Sequence, residues 1–359
     1  MARYVPQPSP FPVRADFYSD TLTRPTEGMR RAMAGAEVGD EQKGEDPSVN
    51  RLLDEVCDLL GKPAAVFLPS GTMANQISLA VHCGPGDEFY CDRTAHPLHS
   101  EAGGAGAIAG AQPRAIDGEG GVFTAHQLEA ALSPHSRYAP RPRLVWVEQT
   151  ANLAGGTCWT DSQIEEVTEA AARRGLVTHL DGARLLNAAV AMQTPAAAIA
   201  APFSSAWIDF SKGLGAPMGA ALAGDADFVD EAWRWKQRLG GSMRQAGIIA
   251  AAASYALAHH VDRLAEDHQR ARRLAAGLGD LEGVDVDPAA VDTNIVVFGV
   301  PGFPGGAAAF TGRLLESHGV RASAGSGGRV RMVTHLDVGD EEVTVALAAV
   351  AEVLSEGRG

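Results

Sequence analysis

Short apolar runs alternate with helix-like segments along most of this chain, and this pattern constrains the fold more than any other feature. The runs stand at residues 64–68, 144–147, 176–180 and 207–210, with helical spacings of apolar residues between them. Such alternation is typical of a mostly parallel sheet covered by helices on both faces. We therefore predict an α/β fold for the larger part of the chain.

The rhythm changes after residue 260. Strand-like runs at 294–300 and 329–334 alternate with helical patterns at 306–318 and 341–354, which predicts a small C-terminal α+β domain. We place the large domain at residues 16–260 and the small one at 261–359. The proline-rich residues 1–15 are predicted to form a flexible N-terminal arm.

Charge and composition exclude several classes of protein. The net charge of −14 argues against nucleic acid or an anionic membrane as a partner. No apolar run approaches the roughly 20 residues that span a bilayer, and the N-terminus does not resemble a signal peptide. The four cysteines are widely spaced, which predicts reduced thiols in a cytoplasmic protein and no metal site.

Polar residues repeatedly follow the predicted strands, at Ser70, Asp92, Glu148, Asp181 and Lys212. In open α/β sheets, functional sites form where the carboxyl ends of strands meet. We expect these side chains to converge on one edge of the sheet.

Lys212 and Asp181 suggest the chemistry of that edge. Lys212 is one of only four lysines in the chain, and Asp181 precedes it by 31 residues, a spacing that suits neighbouring strands. Pyridoxal phosphate needs a lysine amine for its aldehyde and an acid that keeps its ring nitrogen protonated. The alternatives are a solvated loop lysine and a carboxylate that only caps the next turn.

Other residues have both a functional and a structural interpretation. Ser70-Gly71-Thr72 opens a helix after a strand, so it is either a phosphate site or an ordinary helix cap. His96 could stack on a cofactor ring and relay protons, or be a structural histidine. Ser19 and Arg331 could bind a substrate carboxylate, although Arg331 could equally be a solvent-facing charge.

A resemblance covers nearly the whole chain, from about residue 16 to residue 353. The chain resembles the low-specificity L-threonine aldolases, fold-type-I pyridoxal phosphate enzymes of the β-eliminating lyase group. The resemblance rests on eight segments that occur together and in order: Asp16–Thr26, Gly44–Asn50, Pro69–Asn75, Glu101–Gly104, Asp181–Arg184, Ser211–Pro217, Gly240–Gln245 and Val333–Asp337.

The resemblance implies an aminotransferase-like fold, pyridoxal 5'-phosphate as cofactor, and a homotetramer built as a dimer of dimers. It implies that Lys212 binds the cofactor covalently and that Asp181 pairs with the ring nitrogen. Arg184 is expected beside the phenolic oxygen of the cofactor, and Gly71 and Thr72 around its phosphate.

The resemblance also implies roles for the remaining site residues. His96 stacks on the ring and takes part in catalysis with Lys212, while Ser19 and Arg331 hold the substrate carboxylate. Arg244 reaches a cofactor phosphate in a neighbouring subunit. The implied reaction cleaves L-threonine-like β-hydroxy-α-amino acids to glycine and an aldehyde, or runs in reverse.

The chain departs from the family pattern at Ala151. After the strand that ends at Glu148, the family usually has a histidine near the substrate's β-hydroxyl, where this chain has Ala151. Either the enzyme is an aldolase that uses another base, such as His96 or water, and has an altered substrate preference, or it catalyses a different reaction at Cα or Cβ.

Three other functions remain open from the sequence. The first is another pyridoxal phosphate reaction on a similar amino acid, by β-elimination, dehydration or aldol transfer. The second is a cofactor-free aldolase that uses the amine of Lys212. The third is a non-catalytic relative that keeps the fold for binding.

Overall fold

A computed structural model describes residues 9–357, apart from the side chain of Ser326; residues 1–8 of the predicted arm lie outside the described part. The strands are β1 (Ala15–Asp16), β2 (Ala64–Leu68), β3 (Asp87–Asp92), β4 (Gln112–Ile116), β5 (Arg141–Glu148), β6 (Val177–Gly182), β7 (Ser205–Asp209), β8 (Ala220–Gly224), β9 (Ile295–Phe298), β10 (Val320–Arg321), β11 (Ser323–Ala324) and β12 (Val330–Val333).

The helices between these strands vary from one turn to more than four. They are α1 (Glu27–Ala34), α2 (Pro47–Leu60), α3 (Gly71–His82), α4 (His96–His99), α5 (Ala125–Ala131), α6 (Asp161–Arg173), α7 (Leu185–Met192), α8 (Ala196–Ala200), α9 (Ala226–Arg238), α10 (Gly247–His259), α11 (Leu264–Gly279), α12 (Gly306–His318) and α13 (Asp340–Glu356).

By contacts, the chain divides into two compact units. One is Thr23–Glu266, and the other joins the described residues up to Leu22 to the chain from Asp267 onward. The N-terminal stretch belongs to the second unit because β1 pairs with β10, with Ala15 opposite Val320. The domain boundaries proposed from the sequence remain a prediction.

The larger unit contains a seven-stranded sheet in the order β2-β8-β7-β6-β5-β3-β4. All its strands are parallel except β8, which runs antiparallel to both β2 and β7. Register places Glu148 opposite Asp181, and Asp181 opposite Trp207. The predicted α/β architecture with a mostly parallel sheet is confirmed.

Helices cover both faces of this sheet, as β2 illustrates. Ala65 and Phe67 belong to a core that includes Leu52 of α2, whereas Val66 and Leu68 pack with residues of α3 and α9. Successive side chains of a strand point to opposite faces, so two apolar layers enclose β2. The burial of both faces explains why its sequence is a continuous apolar run.

The smaller unit has a three-stranded antiparallel sheet, β11-β12-β9, together with α12 and α13. Its core includes Phe17, Phe298 and Phe310, all fully buried. The predicted α+β character of the C-terminal part is therefore confirmed.

Some element predictions were wrong. The sequence predicts that Ser162 and Glu165 cap α6, because they have capping-box spacing. In the structure the cap is instead Thr160 with Gln163, which exchange hydrogen bonds. The sequence interpretation also missed β4, β8 and α9.

The described part of the chain contains neither a membrane span nor a metal site. No helix within residues 9–357 is both long and apolar enough to cross a bilayer. Over the same range, no group of three or more His, Cys, Asp or Glu side chains is placed to hold a metal ion. All four cysteines are free thiols, as predicted.

Candidate functional site

Lys212 lies in the turn that follows β7 and is held by the last residue of that strand. Its Nζ donates to Oδ2 of Asp209 at 2.6 Å, and the lysine side chain is 18% exposed. Oδ1 of Asp209 accepts from the backbone N and the hydroxyl of Ser211. One carboxylate therefore shapes the turn and fixes the amine.

Asp181 lies on the neighbouring strand β6, fully enclosed by protein. Its Oδ1 accepts from the backbone N of Ala183 at 3.1 Å and its Oδ2 from the Asn75 amide at 3.0 Å. Burial raises the pKa of Asp181, while the charges of His96 and Lys212 oppose that rise. A cation beside this carboxylate would favour its ionised form.

Asn75 of α3 connects Asp181 to a second acid. The same amide nitrogen donates to Oε1 of Glu101 at 2.7 Å, and that oxygen also contacts Nδ1 of His96 at 2.7 Å. Gln76 donates to the other oxygen of Glu101. The four side chains of His96, Glu101, Asn75 and Asp181 thus form a continuous hydrogen-bonded chain.

His96 begins the short helix α4, with its ring about one third exposed. Burial favours the neutral ring, but the hydrogen bond to Glu101 and the charge of Asp181 outweigh it and raise the pKa of His96. Because Nδ1 is engaged by Glu101, the other ring nitrogen is the one left for proton exchange.

Arg184 is buried just after β6. Its Nη1 donates to Oδ1 of Asn152 at 3.0 Å, and its backbone N donates to the carbonyl of Gln149. The turn after β5 therefore positions this guanidinium, at the same sheet edge as Asp181.

Helix α3 begins beside the lysine turn. The hydroxyl of Ser70 accepts from the backbone N of Met73, which leaves the amides of Gly71 and Thr72 without intrahelical partners. A methyl group added to Gly71 would lie 2.4 Å from the Trp207 ring and 3.4 Å from Oδ2 of Asp209. The helix start is thus packed against Trp207, close to the partner of Lys212.

Ala151 is buried and faces a tight turn. A methyl group on Gly121, whose φ is +81°, would lie 2.5 Å from the Ala151 Cβ and 2.9 Å from that of Ala154. The 118–122 turn therefore already covers the position where the family usually has a histidine.

The remaining candidates make contacts of their own. Arg244 is largely exposed and donates to Asp40 at 2.9 Å. Ser19 and Arg331 belong to the smaller unit, where the Ser19 hydroxyl accepts from Thr21 and an Arg331 nitrogen lies 3.5 Å from the Tyr18 carbonyl.

Sequence reasoning identified six residues of the larger unit that the structure places at one edge of its sheet: Lys212, Asp181, Arg184, His96, Gly71 and Thr72. It did not identify Asn75 or Asp209. Asn75 is separated from Asp181 by 106 residues, so only the folded chain reveals their contact. The sequence did contain a signal for Asp209, because this carboxylate stands three residues before a lysine that follows a predicted strand.

The geometry fits pyridoxal phosphate. The site offers an amine in the turn after one strand, a buried carboxylate on the neighbouring strand, and a helix start with free amides. These groups suit the aldehyde, the ring nitrogen and the phosphate of this cofactor. No bulkier residue fits at Gly71 without displacing Trp207.

Comparison with known proteins gives consistent results. Residues 16–300 match the model of the β-eliminating lyase family. The chain is 40% identical over 343 residues to the probable low-specificity L-threonine aldolase 2 of Arabidopsis thaliana, which covers 94% of this chain and 96% of that protein. It is 39% identical over 334 residues to the low specificity L-threonine aldolase of Escherichia coli, covering 93% and 97%.

Solved structures show the same fold at lower identity. The threonine aldolase of Leishmania major superposes with a TM-score of 0.81 at 19% identity, covering 95% of this chain and 99% of that one.

Proposed function

The chain belongs to the β-eliminating lyase family, among the low-specificity L-threonine aldolases, and from this premise we propose that it cleaves L-threonine-like β-hydroxy-α-amino acids to glycine and an aldehyde. It is a lyase that uses pyridoxal phosphate. The observation that carries the proposal is that Asp181 and Lys212 lie at the carboxyl ends of adjacent parallel strands, where the charge of Lys212 lowers the pKa of buried Asp181 against the effect of burial.

When bound, pyridoxal phosphate supplies an electron sink for the charge left on Cα after a bond to that carbon breaks. Lys212 would hold its aldehyde, Asp181 its ring nitrogen, and Arg184 its phenolic oxygen. The amides of Gly71 and Thr72 would bind its phosphate, and the ring of His96 would lie against its face.

Asp209 holds the lysine amine in position. Its Oδ2 lies 2.6 Å from Nζ of Lys212, and the two side chains form an ion pair. The amine is thereby held just after the end of β7, where it would meet the aldehyde of the cofactor.

His96 is the base that this chain offers in place of the missing histidine. Its Nδ1 contacts Glu101, which fixes the ring and favours its protonated form after it accepts the β-hydroxyl proton. Ala151 contributes no polar group near the β-hydroxyl, so we propose that it alters the preference among β-substituents.

Product analysis tests this proposal. Purified protein is incubated with L-threonine, L-allo-threonine and β-phenylserine, and glycine and aldehyde are quantified. We expect equal amounts of both from at least one substrate. No glycine from any of the three would overturn the aldolase function.

Ala151 also favours a second candidate, a different pyridoxal phosphate reaction on the same class of amino acid. β-Elimination or dehydration yields a keto acid and ammonia, and aldol transfer yields a new hydroxy amino acid. The same incubations distinguish these products from glycine and aldehyde.

The proposal also covers the binding of the substrate carboxylate and the assembly of the subunits. Ser19 and Arg331 would bind the substrate carboxylate, and the exposed Arg244 would reach a cofactor phosphate of a neighbouring subunit in a homotetramer. Light scattering at micromolar concentration tests the assembly, with a monomer as the contradicting result.

A further inference from the structure

Glu148 ends β5 beside Asp181 and has no role in the function proposed above. Its side chain is buried, and its two oxygens each accept a backbone hydrogen bond. Oε2 accepts from the N of His96 at 2.7 Å, and Oε1 from the N of Asn152 at 2.8 Å. A single carboxylate thus fixes the starts of two loops at the site.

The first loop carries a group that faces the cofactor in the proposed function, and the second loop contacts another such group. The first bond fixes the backbone of His96 itself. The second fixes Asn152, whose Oδ1 in turn accepts from Nη1 of Arg184 at 3.0 Å. The ring of His96 and the guanidinium of Arg184 therefore both depend on Glu148 for their positions.

We propose that Glu148 is a positioning residue that holds His96 and Arg184 in place for pyridoxal phosphate, and that it does so only as a carboxylate. This inference rests on the proposed function. An ionised carboxylate accepts hydrogen bonds on both oxygens, whereas a carboxylic acid has one O–H that would oppose an N–H donor. Protonation therefore releases one of the two loops.

Glu148 changes its protonation state near neutral pH. Burial and then the charge of Asp181 raise the pKa of Glu148 to about 7, against the effect of the two backbone bonds and of His96. Glu148 also lines a small cavity together with Trp146, Trp159 and Asp92. Positioning is then half lost at about pH 7, and it becomes more complete as the pH rises above that value.

Cofactor affinity provides a readout that does not depend on the reaction. Apo-protein is titrated with pyridoxal phosphate between pH 6 and pH 9, and binding is followed by visible absorbance. For Glu148→Gln we expect affinity at pH 8 to fall about tenfold, because the amide NH₂ faces one of the N–H donors. We expect the change in affinity between pH 8 and pH 6 to be smaller than in the unaltered protein.

The sign of the change separates this role from simple electrostatics. If Glu148 acted only through its negative charge, removing that charge would favour the ionised form of Asp181 and strengthen cofactor binding. An affinity equal to or higher than that of the unaltered protein therefore overturns the proposal. Cofactor binding without any glycine product would instead count against the proposed reaction and leave the role of Glu148 standing.

Two further variants keep the test independent of folding. Asp87→Asn alters another buried carboxylate on the same sheet, at the start of β3. Asp87 accepts a hydrogen bond from the backbone N of Gly84 and forms an ion pair with Arg141. It should lower the unfolding temperature without changing cofactor affinity. Asn152→Ala removes the side-chain link to Arg184, and should weaken cofactor binding while its pH dependence persists; unchanged affinity overturns the Arg184 part of the proposal.

Discussion

At the scale of single residues, Asn75 contributes to the ionisation of Asp181 although it carries no charge. Its amide donates to both Asp181 and Glu101, and it is itself buried. The hydrogen bond from Asn75 lowers the pKa of Asp181 against the effect of burial. Asn75 thus helps to keep Asp181 ionised for a protonated ring nitrogen.

Replacing Asn75 should make cofactor binding depend on pH. In Asn75→Ala, the pKa of Asp181 rises further, so at pH 7 we expect about tenfold weaker binding of pyridoxal phosphate, which is the size of one hydrogen bond to a charged group. The loss should be smaller at pH 9, because a higher pH favours the ionised form of Asp181. Absorbance titrations at the two pH values measure the effect.

Ser78→Ala is a matched control for Asn75. Ser78 is buried one turn further along α3 and donates only to the carbonyl of Ala74. Its loss should leave cofactor affinity unchanged at both pH values. An equal loss of affinity at pH 7 and pH 9 in Asn75→Ala would contradict the electrostatic explanation.

Ala151 is the residue on which reaction preference depends in our proposal. We expect Ala151→His to bind the cofactor and to change the ratio of kcat/KM for L-threonine and β-phenylserine at least tenfold, since a general base contributes about 10²–10⁴-fold. The ring must displace the 118–122 turn, at a cost of about 1–3 kcal/mol in stability.

Ala154→His serves as the control, because Ala154 contacts the same Gly121. It should lower the unfolding temperature by a similar amount without shifting the substrate ratio. Loss of cofactor binding in Ala151→His would show that Ala151 is misplaced in the proposed site.

At the scale of elements, α3, β6 and β7 meet at a second buried polar cluster, away from the strand ends that carry the site. Ser205 contacts Nε2 of His82 at 2.6 Å and Nδ1 of His179 at 2.7 Å. Burial, helped by the charge of Arg143, lowers the pKa of His82 to about 4, and burial also lowers the pKa of His179. Both rings are therefore neutral in the folded protein.

This cluster should make folding sensitive to acid. The unfolded chain binds more protons than the folded one between the usual histidine pKa of 6.5 and about 4, so stability is complete above pH 6.5 and falls as the pH falls toward 4. For His82 alone the loss is at most about 3 kcal/mol.

Urea unfolding at pH 7 and pH 5 measures this dependence. His82→Gln should lose less stability over that interval than the unaltered protein, whereas the exposed His126→Gln should behave like the unaltered protein. The same loss in His82→Gln would rule out His82 as a source of the acid sensitivity.

Element prediction succeeded where local signals agree with the fold. Helix α2 starts at Pro47 and ends before Gly61, as the sequence predicts. It failed at β8, whose Ala-Ala-Leu-Ala-Gly sequence has no strand character of its own and becomes a strand because β7 and β2 enclose it. It failed at β4 because an exposed edge strand lacks the apolar run of a buried one.

At the scale of the whole molecule, the order of the strands decides which residues meet. The sequence predicted that strand ends would converge, and register now pairs Glu148 with Asp181 and Asp181 with Trp207. The contacts of Asn75 with Asp181 and of Glu148 with His96 could not be predicted, because they join segments separated by 106 and 52 residues. Local pattern identifies the reactive residues, whereas their supporting hydrogen bonds depend on tertiary structure.

The covalent attachment of pyridoxal phosphate to Lys212 is the central claim, and chemical trapping tests it most directly. The protein is incubated with the cofactor, reduced with borohydride, digested and mapped by mass spectrometry. The chain has only three other lysines, Lys43, Lys62 and Lys236. We predict a pyridoxyl group on Lys212 alone and no visible absorption from Lys212→Ala; a label on any other lysine, or on none, would contradict the account.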